Sequence, residues 1–211
     1  GLLDEKNKLM VEGLRDYYCE KIKSDSMTDN DSREWLYGLL NAYTRSGVRL
    51  EKIEKILRSI ELRDGVVDCF HYLKEQNIPI AIISFGFSEF VELALKANNA
   101  HYFISEIYAA KLLVDKYGLI VSLDPSTIML AGKEKGRFSC LFADKNGVEY
   151  SKILAVGDTV LDGQLGFLKR NRLGIVNLEE RKEALKKYMG KVVVTEKFDP
   201  VLKWFKRKIG N

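Results

Sequence analysis

Apolar residues in the first sixty positions recur at spacings of three and four, the period of a helix with one buried face. Leu9, Leu14, Tyr17, Tyr18 and Ile22 form one such stripe, Trp35, Leu36, Leu39, Leu40 and Tyr43 a second, and Leu50, Ile53, Ile56, Leu57 and Ile60 a third. The pattern predicts a small helical bundle. Between the first two stripes the polar run 23–32 supplies a loop and N-cap side chains, and Gly47 is placed to end the second helix. From Asp64 the pattern changes. Helical stretches at 66–75, 87–97, 135–143, 160–168, 181–188 and 200–208 alternate with short apolar runs at 78–84, 103–108, 152–157, 173–176 and 191–195. Runs such as IPIAIIS are apolar throughout, as expected of strands covered on both faces.

Alternation of this kind predicts an α/β fold: a Rossmann-like, mostly parallel sheet flanked by helices. The less regular stretch 111–130 is expected to hold a hairpin with Tyr117-Gly118 near its turn. The chain thus divides into a helical, cap-like segment over 1–62 and an α/β core over 63–211.

Composition narrows the chemistry. With 211 residues, 46% of them hydrophobic, the chain can bury a sizeable core. Its net charge of +4 comes from interspersed acids and bases, with no basic stripe carrying interleaved aromatics, so no nucleic-acid partner is expected. Cys19, Cys69 and Cys140 form no CxxC pair, which argues against a disulfide framework or a zinc ribbon and for a reducing compartment. No apolar run approaches the roughly 20 residues of a membrane span, and a cytoplasmic protein without a membrane partner is expected. His71 and His101 are too few for a histidine-rich metal site, which leaves carboxylates as the reactive groups.

Three features fall at strand ends or helix starts, where open α/β sheets bind ligands. Ser84 closes IPIAIIS and leads through Phe85-Gly86-Phe87 into a helical stretch, so its hydroxyl and the following N–H groups can hold a phosphate oxygen. The alternative is an ordinary N-cap serine. Asp158 and Asp162 follow the apolar run KILAV, and two carboxylates at that spacing can converge on Mg²⁺. Here the alternative is a capping Asp158 and an exposed Asp162. The segment 132–136, Gly-Lys-Glu-Lys-Gly, offers Lys133 or Lys135 to neutralise phosphate charge, although most lysines are simply solvated.

The order and spacing of these motifs resemble the haloacid dehalogenase superfamily, in particular its phosphoserine-phosphatase-like branch with a helical cap. The resemblance runs from about Asp64 to the end. In it Ser84-Phe85-Gly86-Phe87 matches the second motif with one glycine replaced, Lys135 fits the third better than Lys133, and Asp158 and Asp162 match the fourth. The resemblance implies a Mg²⁺-dependent hydrolase acting on a small phosphorylated metabolite through an aspartyl-phosphate. Ser84, Phe85, Gly86 and Lys135 would contact substrate, Ser84 and Lys135 would be catalytic, and Asp158 and Asp162 would hold the metal. The family's first motif, Asp-x-Asp-x-Thr on a central strand, is not found in these residues. The chain as written is therefore expected to be inactive and to lack that strand, either because a short N-terminal piece carrying the nucleophile is not among these residues or because the protein is a relative that has lost hydrolysis. The other readings are a binding or regulatory module that keeps the pocket and, less favoured, a receiver-like signalling domain.

Overall fold

The computed structural model describes residues 2–24, 26–127 and 133–210, without the Lys133 side chain. Asp25 of the capping run, residues 128–130 of the irregular stretch and Gly132 of the lysine segment lie outside the described residues. The chain forms two compact units, one of Gly1–Ile60, Ile83–Asn99 and Ile107–Ala131, the other of Glu61–Ile82, Ala100–Glu106 and Gly132–Asn211. The first unit therefore takes in more of the chain than the helical segment expected at the N-terminus.

In the first unit the three apolar stripes become α1 (Glu5–Lys23), α2 (Asp29–Arg45) and α3 (Leu50–Leu57). Local polar groups set their starts. The Asp4 carboxylate accepts the Asn7 N–H at 2.8 Å, and Thr28 and Asp31 close a reciprocal capping box on α2. Gly47, at φ +55°, ends α2 as its position suggests. Lys21 reaches from α1 to Asp31 on α2 at 2.5 Å. Leu36, Leu40, Val48 and Ile53 pack with Phe87, Leu112, Ile120 and Leu123 in one core. The stripes are not buried along their full length: Leu9 and Tyr17 on α1, and Ile56 and Ile60 at the end of the third stripe, remain exposed.

Two further pieces belong mostly to this unit, with Ala81, Ile82 and Glu106 counted in the second. Strand β1 (Ala81–Phe87) pairs with β2 (Glu106–Ala110), and α5 (Ser88–Ala97) follows β1 directly. Strand β1 starts and ends later than the apolar run that announced it, so Ser84 lies inside the strand rather than at its close. Strands β3 (Leu112–Val114) and β4 (Ile120–Leu123) form the expected antiparallel hairpin, with Gly118 at φ +77° in its turn.

The second unit carries the parallel sheet. Strands β5 (Ala155–Gly157), β6 (Arg172–Val176) and β7 (Lys191–Val194) lie in that order, both neighbouring pairs parallel. Around them stand α4 (Val66–Glu75), α6 (Lys133–Lys145), α7 (Lys182–Lys186) and α8 (Asp199–Ile209). Cys69 and Leu73 of α4, Leu173 and Ile175 of β6, and Val201, Trp204 and Phe205 of α8 form its core. This is the mixed α/β architecture expected.

One helical expectation fails. Residues 160–168 do not form a helix: only Val160–Gln164 winds, as a tight 3₁₀ turn. Its closing bonds run from Asp162 N–H to Thr159 O and from Leu165 N–H to Asp162 O, and Gly166 at φ +67° then turns the chain away. The helix expected at 181–188 also shortens, to α7. Among the described residues no helix is long and apolar enough to cross a membrane.

Candidate active site

The Val160–Gln164 turn is built around one carboxylate. Asp162 Oδ2 accepts the N–H groups of Asp158 at 3.0 Å and Thr159 at 2.9 Å, and the Thr159 hydroxyl at 2.9 Å. Its other oxygen, Oδ1, accepts Lys135 Nζ at 2.5 Å. Both side chains of this ion pair are under one-tenth exposed. A buried charge is strongly unfavourable unless paired and hydrogen-bonded, and here the pair and its donors satisfy Asp162 fully.

Lys135 reaches Asp162 because α6 comes very close to the turn. A Cβ on Gly136 would stand 2.7 Å from the Gln164 carbonyl oxygen, so only glycine permits this approach. Ser139, one turn further along α6, donates to the Lys135 carbonyl at 2.8 Å and accepts the Gly166 N–H at 3.1 Å. Arg172 holds the other side of the loop through the Leu165 and Gly166 carbonyls, at 2.7 and 3.2 Å. Gly157 is equally constrained, since a Cβ there would overlap the Asp162 carboxylate.

Asp158 is placed differently. It follows β5 directly, is exposed, and its carboxylate accepts no hydrogen bond from another described residue. It lines a cleft of about 400 Å³ with Arg63, Ile175, Asn177, Arg181 and Glu196. Strands β5, β6 and β7 end at that cleft, the position open parallel sheets reserve for ligands. The walls desolvate Asp158 although solvent can reach it. That burial, and secondly the charge of Asp162, push its carboxyl above the usual carboxylate range, while Arg181 and Lys135 oppose the shift.

The two aspartates expected as a matched pair of ligands are thus unlike in this geometry. Asp158 presents an accessible anionic oxygen of the kind a hard cation takes, whereas Asp162 spends both oxygens on Lys135 and the turn. Among the described residues no group of three or more His, Cys, Asp or Glu side chains is arranged to hold a metal ion; the carboxylates lining this cleft are Asp158 and Glu196.

Ser84 and its neighbours belong to the first unit, Lys135, Asp158 and Asp162 to the second. Ser84 Oγ accepts the Gly86 N–H at 3.0 Å, a local loop that fixes the hydroxyl. The N-cap of α5 is Phe87, not Ser84, so the simple capping alternative does not hold. Phe85 packs against Trp35, ring centroids 5.3 Å apart, and Trp35 stacks in turn on Tyr18 at 5.4 Å. Among the described residues the indole Nε1 of Trp35 is buried without an acceptor. Of the two candidate lysines Lys135 makes the ion pair; the Lys133 side chain is outside the described residues.

Thr159, Ser139, Arg63 and Arg181 were not singled out by sequence. Only Thr159 carried a usable signal, three residues ahead of Asp162 in the spacing of a capping box.

Residues 5–167 match the family of haloacid dehalogenase-like hydrolases. A phosphoserine phosphatase solved as a phospho-aspartyl intermediate analogue superposes with a TM-score of 0.68 at 19% identity, covering 92% of this chain and 85% of that one. Cytosolic 5'-nucleotidase IIIB bound to cytidine gives 0.67 at 17% identity, covering 100% and 76%. A phosphoserine phosphohydrolase-like protein from Francisella tularensis gives 0.62 at 17%, covering 90% and 83%. At these identities the structural matches speak for the fold.

Proposed function

This chain belongs to the haloacid dehalogenase-like hydrolase family, and we propose that its chemistry is Mg²⁺-dependent hydrolysis of a small phosphomonoester in the cytoplasm. The observation that carries this reading is Asp158: an accessible carboxylate at the C-terminal end of a parallel strand, beside a buried Lys135–Asp162 pair. Asp158 would hold Mg²⁺, which when bound supplies positive charge against phosphoryl oxygens. Asp162 would act behind it by holding Lys135 and the Asp158 backbone in place. An ammonium group donates several hydrogen bonds, so Lys135 can serve Asp162 and a phosphoryl oxygen together. In a site this dry its charge is poorly screened and favours the transition state of phosphoryl transfer. Ser84, oriented by the Gly86 N–H, keeps its own O–H to donate to a phosphoryl oxygen.

A second reading is a metal- and phosphate-binding module without hydrolysis. Aryl phosphate hydrolysis with and without Mg²⁺, together with Mg²⁺ calorimetry, separates the two. Mg²⁺-dependent turnover, by this chain or by a form that also carries any encoded upstream Asp-x-Asp strand, that Ser84→Ala slows at least tenfold supports the hydrolase, and Mg²⁺ binding with no turnover in either form supports the module. Unchanged Mg²⁺ affinity in Asp158→Asn would remove the metal assignment from both.

A further inference from the structure

The cleft beside Asp158 contains two arginines that neither the family motifs nor the proposed phosphoryl chemistry uses. Arg63 precedes α4 and donates from Nε to the Glu196 carbonyl at 3.0 Å and from Nη2 to the Thr195 carbonyl at 2.9 Å. Arg181, just ahead of α7, donates from Nη2 to the Asp158 carbonyl at 3.0 Å. Among the described residues neither forms an ion pair with a carboxylate, in contrast to Arg15, Arg58 and Arg137. Nη1 of Arg63, and Nε and Nη1 of Arg181, have no hydrogen-bond partner among those residues.

A guanidinium clamped by carbonyls has already lost much of its rotamer freedom, so a ligand meets a pre-oriented donor fork at low entropic cost. Two such forks line one cleft of about 400 Å³, with the apolar Ile175 also on its wall and the Asn177 side chain at the end of β6. Asp158 and Glu196 share the cleft but pair with neither arginine, so they balance its charge without occupying the donors.

We propose that Arg63 and Arg181 form a binding site for a small oxyanion, phosphate or carboxylate, that uses the side chain of neither Ser84 nor Lys135. The charge-assisted, fork-shaped donors match the oxygen spacing of either anion. The site stands whether or not the chain hydrolyses phosphate, because it needs neither Mg²⁺ nor a nucleophile.

The test is titration calorimetry of the full chain with inorganic phosphate, and separately with malonate, at constant ionic strength in a chelator. The variants are Ser84→Ala and the double variant Arg63→Gln/Arg181→Gln. Saturable binding retained in Ser84→Ala and weakened at least tenfold in the double variant is the expected result. A response to phosphate alone or to malonate alone identifies which anion the site takes. No saturable binding to either, or equal affinity in the double variant, overturns the proposal. So does loss in Ser84→Ala alone, which would place the anion at the serine loop. Thermal unfolding checks each variant. If the double variant does not fold, Arg181→Lys replaces it, keeping the charge and removing the fork; unchanged affinity there overturns the proposal equally.

Discussion

At the scale of single residues the buried Lys135–Asp162 pair carries the largest consequence. Removing one member leaves a desolvated charge without its partner, so Asp162→Ala is expected to cost about 3–5 kcal/mol of stability, read as a lower urea midpoint. Lys135→Met together with Asp162→Leu should recover only the part of that loss due to the unpaired lysine charge, because the Asp158 and Thr159 N–H groups and the Thr159 hydroxyl still lose their acceptor. If the double variant is as unstable as the single one, the pair is not what the turn is built on. Asp31 makes a second prediction, this one in pH. Lys21, and then the Thr28 hydroxyl and N–H, lower its carboxyl from an ordinary value near 3.8 to about 2. A carboxyl depressed in the folded state contributes stability above its unfolded pKa and loses it as pH falls through the folded one. The contribution from Asp31 should therefore fade between about pH 4 and pH 2, and Asp31→Asn should flatten acid unfolding curves in that window. The Thr28-x-x-Asp31 spacing was legible in the sequence; the Lys21 partner, on another helix, was not.

At the scale of elements two glycines in helices make opposite predictions from the same substitution. Gly13 in α1 has nothing within 4 Å of the place a methyl group would take, so Gly13→Ala should raise stability by about 0.5–1 kcal/mol through helix propensity alone. Gly136 in α6 has the Gln164 carbonyl oxygen 2.7 Å from the same place. Gly136→Ala should therefore destabilise by about 1–3 kcal/mol despite the better propensity, by forcing α6 off the turn. Thermal melts of the two variants decide it, and a stabilised Gly136→Ala would contradict the close approach. The turn that α6 touches also shows why residues 160–168 read as helix and fold otherwise. Their apolar spacing suits a helix, but Asp162 draws the backbone N–H groups of Asp158 and Thr159 onto itself and Gly166 breaks the run. Side-chain chemistry from the site overrides local periodicity there.

At the scale of the molecule each compact unit has its own core, and the second can be followed by one thiol. Cys69 is buried in the cluster with Trp204, and burial, with Asp68 and Asp199 as lesser causes, pushes its pKa to about 12. The thiolate is the reactive form, so Cys69 should resist disulfide exchange reagents until that core opens. Its labelling in urea should rise together with the change in Trp204 emission; labelling well before that change would mean local opening around α4. Trp35 belongs to the other unit, so the Trp35→Phe variant leaves Trp204 as the reporter.

Periodicity and spacing alone determined the three N-terminal helices, the β3–β4 hairpin, the alternating α/β half and the serine, lysine and aspartate motifs. These depend on neighbours a few positions apart, through helix period, strand alternation and turn glycines. Tertiary structure decided what those motifs do to one another. It placed Ser84 within a strand, turned Asp162 from an expected ligand equal to Asp158 into the partner of Lys135, and brought Arg63 and Arg181 to one cleft. Such roles depend on which oxygen or N–H is already taken by a residue distant in sequence, and only packing of the sheet and helices settles that.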